Sequence, residues 1–460
     1  MNLEVDFSDV LKRALKNGGD YSEIYIEDST STTLMCEEKG LEKAISGVDS
    51  GAGIRVLHNN NTVYGYTNDV TQSSLLALAD SLSLAVKSGE YNRDIVLTEQ
   101  FPKFTSRVQK RLSDTVINDK IALVNRSNDV IWKADDHIVQ AKIVYKDESK
   151  DILLVNSDGA YVKDYKSQVV FLAQVVLRDA DVLQTGYEAI GGFSGFEFFD
   201  HESVEEAALR AVRRGAKMLK ARPAKAGTMP VILSAEAGGT MVHEAVGHGL
   251  EADLVEMGLS VYKDKIGQKI ASELVTVVDD ATMPGKRGSF SFDDEGTLSQ
   301  RNVLIENGVL KGYMYDKLTA MKDGVVSTGN GRRQSYRMRP IVRMTNTIIV
   351  PGKRPADEII KSVDNGLYVL KMGGGQVNTA NGDFVFEVTE AHMIRDGEIA
   401  EPVRGATLTG NGPEVMRIID MVGNDLGYSI GTCGKDGQGA PVADAQPTIR
   451  IPELIVGGTC

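Results

Sequence analysis

In the first half of the chain, apolar positions switch between two periods. Residues 7–17 (FSDVLKRALKN) carry them at helical spacing. Short segments with strand character follow: YSEIYIED, TTLMCEE, GIRVLHN and NTVYGYTN, the last two joined by an Asn59-Asn60-Asn61 turn. Residues 73–87 return to the helical period. Near residue 115 the same order begins again. A helix over 116–133 precedes HIVQAKIVYKDES, DILLVNSDG, AYVKDYKS and QVVFLAQVVLRD, with Asp158-Gly159 marking a hairpin turn, and a helix over 204–220 closes the unit. Helix, antiparallel meander, helix, twice over, predicts an α+β layer domain over 1–220, with internal duplication of 1–110 in 111–220.

Residues 221–227 (ARPAKAG) read as a linker. Beyond it, MPVILSAE predicts a strand feeding a helix. The remainder is mostly short strand-like runs between Gly-rich loops: LVTVVDD, RNVLIENGVLKGYMYD with its Asn307-Gly308 hairpin, RPIVRMTNTIIV, FVFEVTEAHMI and PTIRIPELIVGG. Short helices are expected at 355–363 and 413–421. A β-rich C-terminal domain over 221–460 is expected to hold the chemistry.

Composition narrows the function classes. A chain of 460 residues is too long for a single core. A net charge of −13 argues against direct nucleic-acid binding. No run approaches the 18 or so apolar residues of a membrane span. The N-terminus MNLEVDFSDVLKR lacks the basic and apolar regions of a signal peptide. Three cysteines suit a reducing cytoplasm better than a disulfide framework.

The densest chemistry lies in MVHEAVGHGLEAD, where His243 and His248 flank Glu244 in an HExxxH pattern. In the usual HExxH, two histidines four residues apart lie about 40° apart around the helix and share a metal. Five residues apart, they diverge by about 140°. If they share a metal, the helix must widen into a π-turn or break at Gly247. Gly238-Gly239 before the helix, and Gly247 and Gly249 beside His248, supply backbone freedom. In this reading Glu244 exchanges protons with the activated water. Otherwise the three are helix-surface groups.

A catalytic zinc wants a third protein ligand. Glu251 and Asp253 lie downstream, and His392 sits in a strand-like run. Cys433, in Gly431-Thr432-Cys433-Gly434-Lys435, is the better candidate by chemistry, ahead of Cys36 and Cys460. Spacing alone does not choose among them. Arg332, Arg333 and Tyr336, in GNGRRQSYR, suit a substrate carbonyl, a carboxylate or an oxyanion, and equally a solvated charged loop. Gly373-Gly374-Gly375 lacks the frame of a nucleotide site and suits close backbone approach. The acidic turn Phe292-Asp293-Asp294-Glu295-Gly296 is an alternative metal site, though its spacing is not that of an EF-hand.

The runs HEAVGHGLEAD, SFDDEGT, GNGRRQSY, RMTNT, GGGQV, RGATLTGNG, MVGND and TCGKDGQ, in that order, resemble the TldD/PmbA (TldD/TldE) family of metallopeptidases. The resemblance spans the C-terminal half, and the N-terminal layout is compatible with it. It implies a zinc-dependent cytoplasmic peptidase with His243, His248 and Cys433 as ligands and Glu244 as base. It also implies a two-subunit complex, with a TldE/PmbA-like paralogue or a second copy as partner and this chain carrying the metal motif. Unfolded peptide would enter a narrow channel and pair with a sheet edge near the zinc; Arg332, Arg333, Tyr336, Gly374 and Gly375 are the candidates for binding it. An older family label, modulator of DNA gyrase, finds no support in the acidic charge.

Overall fold

The computed structural model describes residues 3–86, 89, 91, 93–102 and 108–458. Its N-terminal part is one continuous seven-stranded sheet. Helix α1 (Phe7–Leu15) leads into β1 (Tyr21–Glu37), β2 (Gly40–His58) and β3 (Asn61–Thr67), followed by α2 (Gln72–Ser83). After a short β4 (Thr98–Gln100), α3 (Ile117–Ala134) leads into β5 (Ile138–Asn156), β6 (Ala160–Asp179) and β7 (Val182–Phe193), followed by α4 (Phe198–His201) and α5 (Val204–Leu219). The two meanders join where β1 and β5 pair antiparallel, Glu23 opposite Asn156 through Glu37 opposite Lys142. The expected helix end at Lys87 and the terminal Cys460 lie outside the described residues.

All four long helices cover one face, at opposite ends of the strands. Helices α1 and α2 pack on Ile24, Ile26, Ile54 and Val155. Helices α3 and α5 pack on Leu34, Ile143, Phe171 and Val175. The side chains between these on each strand point to the other face, as a period of two requires. There Tyr25, Ile152, Leu154 and Val162 pack against Phe292 and Tyr336 of the C-terminal part.

The strands are longer than the pattern suggested. YSEIYIED and TTLMCEE form one strand, as do HIVQAKIVYKDES with DILLVNSDG and AYVKDYKS with QVVFLAQVVLRD. Polar residues mid-strand interrupt the apolar alternation without interrupting the backbone pairing. Ser29 donates to the Asp49 carbonyl at 3.0 Å, and Thr32 accepts from Lys120 at 3.1 Å. Strand β7 and the first half of β2 carried no apolar alternation to find. The supposed linker is also partly paired: Arg222–Pro223 runs parallel to Val403 and Arg404.

The C-terminal part contains two larger sheets. In one, Asn365–Val377, Gly227–Leu233, Ile449–Gly457, Thr407–Asn411 and Asp383–Arg395 pair in that order. The last of these pairs back onto the first, closing a five-stranded barrel. The other is a six-stranded sheet ending in Gln438–Gln446 and the edge strand Gly427–Lys435. The helical segment after Gly227–Leu233 belongs to the largest core. Its Val242 and Val246 cluster with Leu233 and Phe386 of the barrel, Val442 of the six-stranded sheet, and Met344.

Candidate metal centre

The segment carrying HExxxH changes its winding within one turn. Thr240–Val242 is α-helical, His243–Gly247 is a π-turn, and His248–Leu250 is a 3₁₀ turn. The His248 N–H donates to the carbonyl of His243, the i to i+5 bond that widens the helix. Of the two irregularities anticipated for a shared metal, the π-turn is the one present. The two imidazoles consequently meet edge to face, ring centroids 5.1 Å apart.

Cys433 reaches them from the edge strand Gly427–Lys435. Its Sγ lies 3.3 Å from His243 Nε2 and 3.3 Å from His248 Nε2. The three donor atoms lie within 4.8 Å of one another, the one such grouping of potential ligands among the described residues. Burial alone would push the Cys433 thiol up, but the two imidazoles pull it down to about 5. A sulfur that ionises this easily is a ready metal ligand.

The surroundings orient the donors. His248 Nδ1 lies 3.0 Å from Glu251 Oε2, which leaves Nε2 facing the sulfur. Lys435 ties Glu251 at 3.2 Å to Asp253 at 2.7 Å. Burial would raise the Glu251 carboxyl, yet His248 and Lys435 bring it down to about 2. His243 Nδ1 is buried without a hydrogen-bond partner among the described residues, and Asp444 Oδ2 stands 3.9 Å from it. Arg343 donates to the Cys433 carbonyl and fixes the strand from behind.

Glu244 lines a cleft of about 650 Å³ together with the three donors. Burial raises its carboxyl above the ordinary range, partly countered by His243 and His248. Across the cleft stand Gln174 of β6 and Thr185 and Tyr187 of β7, so the N-terminal sheet walls the site. Lys371, Gly373 and Gly374 complete it.

Other sequence candidates fall elsewhere. Gly375 packs against Phe386, whose ring a Cβ would meet at 1.9 Å. Arg332 donates to the carbonyls of Met344 at 2.6 Å and Pro441 at 2.7 Å. Arg333 pairs with Glu23 and covers the Tyr25 ring. Tyr336 donates to Asp49 at 3.0 Å. None of these four lines the cleft of the three donors. Glu251 sits on the Nδ1 side of His248, Asp253 is held by Lys435, His392 is tied to the Ala400 carbonyl, and Cys36 is buried under α3. The acidic turn is an interdomain ion network: Asp294 pairs with Lys166, and Glu295 with Arg55, each at 2.5 Å. Asp444, Lys371 and Lys435 also belong to the site, though none was a candidate from the sequence. The first two sit in strands without a local motif, and only Lys435, two residues from Cys433, carried a signal in the TCGKDGQ run.

Three family models cover the chain: PmbA/TldA metallopeptidase domain 1 over residues 22–87, the central domain over 110–219 and the C-terminal domain over 226–458. A metalloprotease TldD homolog from Buchnera aphidicola subsp. Acyrthosiphon pisum is 36% identical, with 96% of this chain and 93% of that protein covered. A zinc metalloprotease TldD homolog from Saccharolobus solfataricus is 29% identical, with 97% and 99% covered. The crystal structure of TldE from Thermococcus kodakarensis superposes with a TM-score of 0.75 at 20% identity, covering 98% of this chain and 99% of that one. At that identity the likeness is one of fold. The chain belongs to the PmbA/TldD family of metallopeptidases.

Proposed function

We propose that this chain is a zinc-dependent peptidase acting on unfolded peptides, with His243, His248 and Cys433 as metal ligands and Glu244 as general base. The observation that carries the reading is the convergence of two histidine nitrogens on one sulfur from a strand 185 residues further on. Two imidazoles and an acidified thiol are a zinc donor set, and three protein ligands leave one position for water or substrate. Zinc held there supplies Lewis acidity toward water and the scissile carbonyl.

The chain's own residues do the rest. Glu244 faces the cleft with a raised carboxyl, which suits it to take a proton from water and return it to the leaving amine. Among the described residues, strand Gly427–Lys435 pairs on one side only, with Gln438–Gln446, so its other edge offers backbone groups to an extended peptide. Gly374 has no heavy atom within 4 Å of the place a Cβ would occupy, and leaves the opposite wall open. Binding through backbone favours unfolded chains over folded ones. The setting proposed is cytoplasmic, and the partner is a TldE/PmbA-like paralogue or a second copy of this chain. No helix among the described residues is long and apolar enough to cross a membrane.

The test separates metal from chemistry. Glu244→Gln should keep its zinc and lose hydrolysis of an unfolded peptide, assayed alone and with a paralogue. Cys433→Ala should lower zinc content. Full activity in Glu244→Gln would overturn the proposal.

A further inference from the structure

A second cavity, of about 610 Å³, adjoins the metal cleft, with Thr432 lining both. It lies between the helix-free face of the N-terminal sheet and the C-terminal part. Its charge runs against that of the chain, which is −13 overall. Lys150, Lys166 and Arg333 in its wall are matched by Glu27, Asp294 and Glu23. Asp147 and Glu148 also line it, yet among the described residues neither Arg287 nor Arg332 is in direct ion-pair contact with a carboxylate.

Both guanidiniums are buried, with side chains from residues 8% and 7% exposed. Arg287 donates to the Gly431 carbonyl at 3.2 Å, Thr432 Oγ1 at 3.3 Å and Gln168 Oε1 at 3.2 Å. Arg332 donates to the Met344 and Pro441 carbonyls and lies over the Phe290 ring, 5.3 Å from its centroid. Every one of these acceptors is uncharged. Among the described residues neither guanidinium has an ion-pair partner. Burial brings both down to about 10, against the more distant pull of Glu148 on Arg287 and of Asp294 and Asp279 on Arg332. Two such charges side by side are costly until an anion joins them.

The position says which anion. Arg287 occupies the Gly431 carbonyl on the strand that carries Cys433. A peptide laid along that open edge meets Arg287 where the edge ceases to offer a free acceptor. We propose that this cavity is a carboxylate subsite, in which Arg287 and Arg332 hold either the C-terminal group or an acidic side chain of the peptide. Planar guanidiniums bind carboxylates through paired hydrogen bonds. The inference rests on the peptidase reading of the cleft beside it.

Binding and turnover are measured separately, so that the two readings fail apart. Zinc-loaded full-length Glu244→Gln is titrated with one fluorescent peptide of neutral residues in three forms. These are a free C-terminus, a C-terminal amide, and an amide with one internal Glu. At least one carboxylate form should bind roughly 10–100-fold more tightly than the neutral amide, as a lost charged hydrogen bond implies. The form that does so identifies the source. Arg287→Gln should remove that preference. Lys146→Glu, an exposed change in the cavity wall, should weaken it without disturbing the buried bonds. Equal binding of the three forms, binding of none, or a preference intact in both variants overturns the subsite. A preference that persists while wild-type enzyme, assayed alone and with the paralogue, cleaves none of the peptides overturns the peptidase reading instead.

Discussion

The backbone N–H of His248 bonds the carbonyl of His243, and this one π-type bond lets histidines spaced for different faces of an α-helix meet at one sulfur. The wide turn comes close to its surroundings at Gly247, where a Cβ would sit 2.0 Å from Met344 Sδ. Gly247→Ala should cost about 1–3 kcal/mol through overpacking and should lower zinc content. Met344→Ala alone should cost about 2–5 kcal/mol as a cavity. If the contact is the cause, the double variant will cost less than the sum, by about 0.5–3 kcal/mol in urea unfolding. Strict additivity would count against it.

Glu251 would act through His248 on a metal held there. Its carboxylate is fully buried, 3.0 Å from His248 Nδ1, and its other partner Lys435 keeps Asp253 if Glu251 is neutralised. Glu251→Gln should therefore fold and bind zinc about 10–100-fold more weakly. Competition with a chromophoric chelator measures this. Unchanged zinc affinity with a lowered melting temperature would make Glu251 a purely structural residue.

The pairing of His243 with His248 was legible because it is local: two imidazoles and a carboxylate within six residues. Cys433 was legible only as chemistry, a thiol between glycines, because nothing local encodes a contact made across 185 residues. Asp444, which stands behind His243, was not legible. An Asp in an apolar strand has no periodicity to betray it. The α+β class followed from the change of period near each helix. The strand lengths did not, because Ser29 and Thr32 satisfy their hydroxyls inside the sheet and break the apolar pattern there. The barrel was out of reach for the same reason as Cys433. It closes by pairing Leu233 with Ile449 and Leu367 with Met393, and register between distant strands leaves no local mark. Arg333 and Tyr336 were legible as special but not as to purpose. Their partners, Glu23 and Asp49, lie in the N-terminal sheet.

That interdomain network predicts a large loss from a single change. Arg55 is 1% exposed and bonds Glu23 at 2.9 Å and Glu295 at 2.5 Å, joining the N-terminal sheet to the acidic turn. Arg55→Met leaves Glu295 buried without its cation. The expected cost is about 3–5 kcal/mol, read as a fall in the urea midpoint. A companion Glu295→Gln change should recover part of it, since a neutral amide needs no counter-charge. No recovery would point to lost packing of the Arg55 stem instead.

Asp164 on β6 should give the protein a pH-dependent weakness. Burial lifts its carboxyl from 3.8 to about 6, against the pull of Lys166 and the Tyr165 N–H, and its Oδ2 has no hydrogen-bond partner among the described residues. The folded state thus holds this proton more tightly than the unfolded chain does. The neutral carboxyl's contribution is complete below about pH 4, is lost as pH rises through 6, and stays lost at neutral pH. Asp164→Asn keeps the shape and removes the charge. It should be more stable than wild type above pH 7 by about 2–3 kcal/mol, with the gap closing toward pH 4. Urea midpoints across pH 4.5 to 8 test this. A gap of constant size across the series would assign the effect to packing and not to the proton.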